Sequence, residues 1–140
     1  MSYVKICIHA VWATKDRFPY LKGEVKPKIL EHIRENARTK NIHIDHLNGH
    51  TEHIHALISM DVEQNIANII NLLKGESSYW ANKQNLTKNK FGWQDDYFAV
   101  SIGESQIEAV RKYIQNQEIH HQKKTFQQEY EEFMSKYNFE

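Results

Sequence analysis

A single cysteine in 140 residues, Cys7, leaves no intrachain disulfide to form and suits a reducing compartment such as the cytoplasm. No apolar run approaches the roughly 20 residues that span a bilayer. The N-terminus lacks the segments of a secretory signal. The expectation is a cytoplasmic chain with no membrane segment. Internal repeats and low-complexity tracts are also missing, and the length fits one domain, 1–140, with a core of its own. Net charge is missing too, since 18 Lys and Arg balance 18 Asp and Glu. That weighs against a nucleic-acid binder, for which a basic surplus is the rule. The distribution restores the case. Residues 1–40 hold nine Lys and Arg against four acids, 41–73 none against four, 74–90 four against one, and 91–140 five against nine. Local field rather than total charge draws phosphate, so two basic stretches around an acidic one can form a groove. Ordinary solvated surface is the plainer account.

What is present is a histidine strand, Gly49-His50-Thr51-Glu52-His53-Ile54-His55-Ala56-Leu57-Ile58-Ser59-Met60. Apolar and β-branched residues from Ile54 onward predict a buried strand, opened by a turn at Asn48-Gly49 and closed at Asp61. Alternation puts His53 and His55 on one face and Ile54 on the other. Two such imidazoles can share one metal ion. Two polar residues on a wet sheet face are the alternative.

The rest of the pattern supplies a frame. Residues 3–14 alternate as a strand, and a helix is expected over 24–40 with Ile29, Leu30, Ile33 and Ala37 buried. A short strand over 42–47 pairs with the histidine strand as a hairpin. A helix over 63–83, capped by Asp61, carries Gly75 in its middle, where a close approach or a packing contact would explain the glycine. Residues 84–96 are loop, and 97–102 form a fourth strand. Gly103 then breaks the chain, and Ser105 with Glu108 forms a capping box that opens a helix with an Ile107, Val110 and Ile114 stripe. Tyr113 and Gln117 lie one turn apart on the edge of that stripe. A second box, Thr125 with Gln128, opens a terminal helix bearing Phe126, Tyr130, Phe133 and Tyr137. The order β-α-β-β-α-β predicts an α+β, ferredoxin-like antiparallel sheet with the first and third strands central. His53 and His55 then face away from the two core helices, and the Gly103-led helix is the element available to cover them.

His53-Ile54-His55 followed by Tyr113-Ile114-x-x-Gln117 resembles the single-tyrosine HUH transposases, the IS200-like family that includes the transposases associated with repetitive extragenic palindromes. Trp12-Ala13-Thr14-Lys15-Asp16-Arg17, Leu73-Lys74-Gly75-Glu76-Ser77-Ser78, Trp93-Gln94 with Tyr97 to Ser101, and His120-His121 with Thr125-Phe126-Gln127 resemble further parts of it, in order. The resemblance implies a transposase that cleaves and rejoins single-stranded, hairpin-bearing DNA. It implies Tyr113 as nucleophile, and His53, His55 and, by position, Gln117 as ligands of Mg²⁺ or Mn²⁺. The product would be a 5′-phosphotyrosine and a free 3′-OH. A homodimer is implied as well, in which the tyrosine acts either in trans, with Gly103 as hinge and the terminal aromatic stripe left partly exposed, or in cis, with the terminal helix folded back on its own sheet. Lys15, Arg17, Lys74, Lys83, Arg111 and Lys112 are candidates for DNA phosphates, and Trp93 or Trp12 for base stacking, with a core role the better expectation for Trp12. His9, on the central first strand, is a further candidate neighbour of the metal. Three other accounts compete: a domesticated hairpin-binding protein without activity, a metal phosphoesterase using water, and a structural oligomerisation module.

Overall fold

The structure is a computed structural model that describes residues 2–137, with the side chain of His120 left out. The His120 half of the His120-His121 pair therefore lies outside the described residues. Four strands form one antiparallel sheet: β1 Ile6–Ala13, β2 His43–Gly49, β3 His53–Met60 and β4 Phe98–Ile102, in the order β2-β3-β1-β4. The first and third strands are central, as expected for a ferredoxin-like sheet. Helices α1 Val25–Thr39 and α2 Ile66–Lys83 cover one face. Ala10, Trp12, Ile54, Ala56 and Ile58 meet Ile29, Ile33, Ile70 and Leu73 there in the main core. No helix among the described residues is long and apolar enough to cross a membrane.

The opposite face is covered as well. Helix α3, Ile107–Gln115, sets Ile107 and Ile114 on Cys7 and Leu57. A short α4, Gln117–His121, follows, and then α5, Phe126–Lys136. The terminal aromatic stripe packs on the histidine face of its own sheet. The Phe126 ring lies parallel to His53 at 4.1 Å, and Phe133 packs on His9 at 5.6 Å and His55 at 5.9 Å. Folding back removes part of this apolar surface from water: Phe126 is buried, while Tyr130, Phe133 and Tyr137 stay partly exposed, as expected of the stripe.

Several boundaries also moved. Asn48-Gly49 is not the hairpin turn. Both residues belong to β2, and His50 to Glu52 make the turn, closed by His50 N–H donating to His53 O at 3.0 Å. Glycine is required at 49 for a different reason: a Cβ there would lie 2.2 Å from the His53 carbonyl oxygen. Gly49→Ala is therefore expected to displace the backbone of His53 and cost about 1–3 kcal/mol, readable by urea denaturation. Asp61 does not cap α2. Asn65 does, accepting from Asn68 N–H at 2.9 Å, because its extended backbone aims the side chain at the first turn. The Ser105–Glu108 box does not form. A 3₁₀ turn over Glu104–Gln106 leads into α3 with no side-chain cap, and Gly103 has φ −71°, which any residue adopts. The Thr125–Gln128 box forms in full. A Cβ on Gly75 would meet nothing within 4 Å, so no packing contact with the described residues accounts for that glycine.

Candidate metal centre

His53 and His55 project from β3 toward α3 and α5, and both rings are fully buried. Their Nε2 atoms converge on a carboxylate oxygen that sequence reasoning did not identify. Glu129 Oε1 lies 2.9 Å from His55 Nε2 and 3.2 Å from His53 Nε2. Gln117 Oε1 stands 3.2 Å from His53 Nε2. The other Glu129 oxygen, Oε2, accepts the hydroxyl proton of Tyr113 and lies 3.3 Å from His121 Nε2. The structure thus brings His53, His55, Gln117 and Tyr113 together around a fifth residue from α5.

The set fits a divalent cation. One ligand atom each from His53, His55 and Glu129 lies within 4.8 Å of the others, and all three residues are buried. Two imidazoles and a carboxylate suit Mn²⁺ and related ions, and the carboxylate also suits Mg²⁺. Each ring is held from behind, as metal-binding histidines usually are. His53 Nδ1 meets Glu52 Oε1 at 2.8 Å, and His55 Nδ1 meets His9 Nε2 at 2.9 Å. His9 was named from the sequence as a neighbour of the metal. The structure places it behind His55, not among the converging ligand atoms.

Electrostatics follow the burial. Burial alone would raise the Glu129 carboxyl, but hydrogen bonds from His121, His53 and His55 hold it well below the usual range. Burial lowers His55 to about 4, partly opposed by Glu129. His9 falls to about 3 through burial and then His55. His53 goes the other way. Burial would lower it, but hydrogen bonds to Glu129 and Glu52 raise it above its ordinary value. Tyr113 is raised by burial and then by the adjacent Glu129 carboxylate.

The tyrosine helix is docked on its own chain. Arg111 makes two bonds to Asp45 at 2.8 and 2.9 Å, and Asn48 Nδ2 donates to the carbonyls of Ile114 at 3.0 Å and Gln115 at 3.2 Å. Arg111 also holds the Asp45 carboxyl down at about 2. The helix ends there, and Asn116 separates α3 from α4, so Gln117 opens a new helix just beyond Tyr113. Beside Tyr113 a cavity of about 270 Å³ opens between α3 and α5, lined by His9, Val110, Tyr113, Glu129, Phe133 and Lys136 among others.

The proposed phosphate contacts fall in different places. The Arg17 guanidinium sits 5.0 Å from the centre of the Phe126 ring, which itself stacks on His53. Lys15 and Lys112 are exposed. Lys74 donates to the Asp95 carbonyl at 3.0 Å, and Lys83 lies 5.9 Å from the Tyr79 ring. Both belong to α2, across the sheet from the centre. Trp12 is a core residue, as expected. Trp93 is one too, with its indole N–H donating to Ser77 Oγ at 2.9 Å, which corrects its base-stacking role.

The family described as Transposase IS200 like matches residues 2–117. The chain belongs to that family. The ISDra2 transposase TnpA of Deinococcus radiodurans is 26% identical over 115 residues, covering 78% of this chain and 81% of its own. A crystal structure of a candidate transposase from Deinococcus radiodurans R1 superposes with a TM-score of 0.68 at 24% identity, over 84% of this chain and 95% of that one. A REP-associated tyrosine transposase bound to a REP hairpin gives 0.65 at 16% identity, over 86% and 72%. At these identities the two structures show the shared fold, and this transposase has it. The family match stops at Gln117, so Glu129 and the whole of α5 lie beyond it.

Proposed function

We propose that this IS200-like transposase cuts and rejoins single-stranded DNA through Tyr113, at a centre formed by His53, His55 and Glu129. One observation carries the proposal: a single carboxylate, Glu129, touches both imidazoles through Oε1 and the tyrosine hydroxyl through Oε2. A bound Mg²⁺ or Mn²⁺ would polarise the scissile phosphate and offset charge on the departing oxygen. His53, His55 and Glu129 would hold it, with the Gln117 amide oxygen beside His53 as a further ligand. The Tyr113 oxygen forms the bond to phosphorus, and the bond from phosphorus to the 3′-oxygen breaks. The phenol proton passes by way of Glu129 Oε2, already its hydrogen-bond acceptor, to the departing oxygen, which becomes a free 3′-OH. The 5′-phosphotyrosine keeps the energy of the phosphodiester, so another 3′-OH can displace Tyr113 and seal DNA without ATP.

The strand enters by the cavity beside Tyr113, where Lys136 offers a cation to the backbone. Lys15, Arg17 and Lys112 are proposed to hold phosphates near the centre. Lys74 and Lys83 would touch a strand on the far side, and Arg111 would do so only by leaving Asp45. Hairpin DNA is the proposed substrate, supported by the related fold that carries a REP hairpin. The homodimer implied by the sequence is likewise a proposal. With Tyr113 linked to the histidines of its own chain through Glu129, we propose cleavage in cis. Mixing Tyr113→Phe and His53→Ala chains should then restore no activity, and sedimentation at micromolar concentration reads the assembly.

A hairpin binder without activity is a second account, favoured by the complete burial of His53, His55, Gln117 and Glu129. Labelled single-stranded hairpin DNA from the flanks of the gene, incubated with the protein and Mn²⁺, separates the two. An adduct that survives SDS and disappears with EDTA is the expected outcome. Binding without adduct supports the second account, and cleavage without adduct supports a water nucleophile.

A further inference from the structure

His53 and His55 differ in what stands behind them. Glu52, behind His53, is a carboxylate and can only accept. His9, behind His55, can donate or accept at Nε2, depending on which nitrogen holds its proton. The two rings sit diagonally across central strands, since β1 and β3 pair His9 with Leu57 and Val11 with His55. Both are buried, and Phe133 packs edge-on against His9 at 5.6 Å.

Without metal, His55 Nε2 faces Glu129 Oε1 at 2.9 Å. An ionised carboxylate accepts only, so His55 carries its proton on Nε2, and its bare Nδ1 must accept from His9 Nε2–H. A metal ion bound to His55 Nε2 reverses this. That nitrogen then needs its lone pair, the proton moves to Nδ1, the His9 proton moves in turn from its Nε2 to its Nδ1, and His55 Nδ1 donates to His9 Nε2. The 2.9 Å contact serves both arrangements with the same heavy-atom positions. Neither a carboxylate nor a lysine could do so, because each plays only one of the two parts.

We propose that His9 is a positioning residue for the metal centre, a two-way hydrogen-bond partner that keeps the His55 ring oriented while its proton changes nitrogen on metal loading. The inference rests on the proposed metal site at His53, His55 and Glu129.

Two variants test it. His9→Phe keeps a ring without hydrogen bonds, and His9→Gln supplies an amide that can donate or accept. Mn²⁺ affinity, read by electron paramagnetic resonance, should fall about 10–100-fold in His9→Phe and largely recover in His9→Gln. Ring ¹⁵N shifts of the wild-type protein provide a readout independent of activity and of variant folding. His55 should be protonated at Nε2 without metal and at Nδ1 with Zn²⁺ as a diamagnetic probe. A folded His9→Phe chain that binds Mn²⁺ within about twofold of wild type, or a His55 that keeps its Nε2 proton with Zn²⁺, overturns the role of His9. Wild-type protein that binds neither ion overturns the metal site, and the role of His9 with it.

Discussion

Tyr113→Phe should abolish the covalent protein–DNA adduct, by a factor on the order of 10⁴ or more, while hairpin binding changes by no more than about a few-fold. The hydroxyl is the group proposed to bond to phosphorus, and it contributes little contact area. Folding should survive. Glu129 loses one hydrogen-bond donor but keeps His53, His55 and His121, so the cost is about 1 kcal/mol. Denaturing gels of labelled DNA read the adduct, and thermal melts read stability. An adduct of undiminished yield would move the nucleophile to another residue. Tyr130, on the same helix as Glu129, would be the first to try.

Loss of His53 should be costlier than a surface ligand would suggest. The ring is fully buried, stacked on Phe126 and placed between Glu52 and Glu129. His53→Gln leaves both carboxylates without that partner, so about 3–5 kcal/mol of stability should go with the metal. The pH dependence has a definite sign. The folded value of His53 lies above the ordinary 6.5, held there by Glu129 and Glu52 against burial. Stability from this pairing is complete below 6.5 and is lost as pH rises through the raised value. A metal must displace the proton on Nε2, so Mn²⁺ should bind more tightly as pH rises over that same interval. Urea unfolding without metal checks the first statement, and Mn²⁺ titrations of wild type and His53→Gln across this interval check the second. Equal affinity in the two proteins would remove His53 from the site.

Much of this was legible because short-range rules govern it. Alternation over β1 and β3 fixed which residues face α1 and α2, and so placed His53 and His55 on the other face. Tyr113 and Gln117 could be paired by helical spacing even though the helix breaks at Asn116 between them. Glu129 was missed because it lies inside a stripe read as purely apolar. A signal was there: Glu129 stands three residues after Phe126 and four before Phe133, a lone carboxylate on the buried face of an amphipathic helix. A buried acid implies a partner, and the polar groups still unexplained were the histidines. The direction in which α5 packs was not legible, since an aromatic stripe fits its own sheet as well as another chain. Capping at Asn65 rather than Asp61 turned on backbone angles that composition does not encode.

The central claim is that DNA becomes joined to one particular phenol. Proteolysis of the Mn²⁺-dependent adduct, nuclease trimming of the DNA and tandem mass spectrometry of the remaining peptide test it directly. The expected result is a 5′-nucleotide on Tyr113 within the α3 peptide, absent when EDTA is present. A nucleotide on any other residue, or cleaved DNA with every tyrosine unmodified, would contradict it.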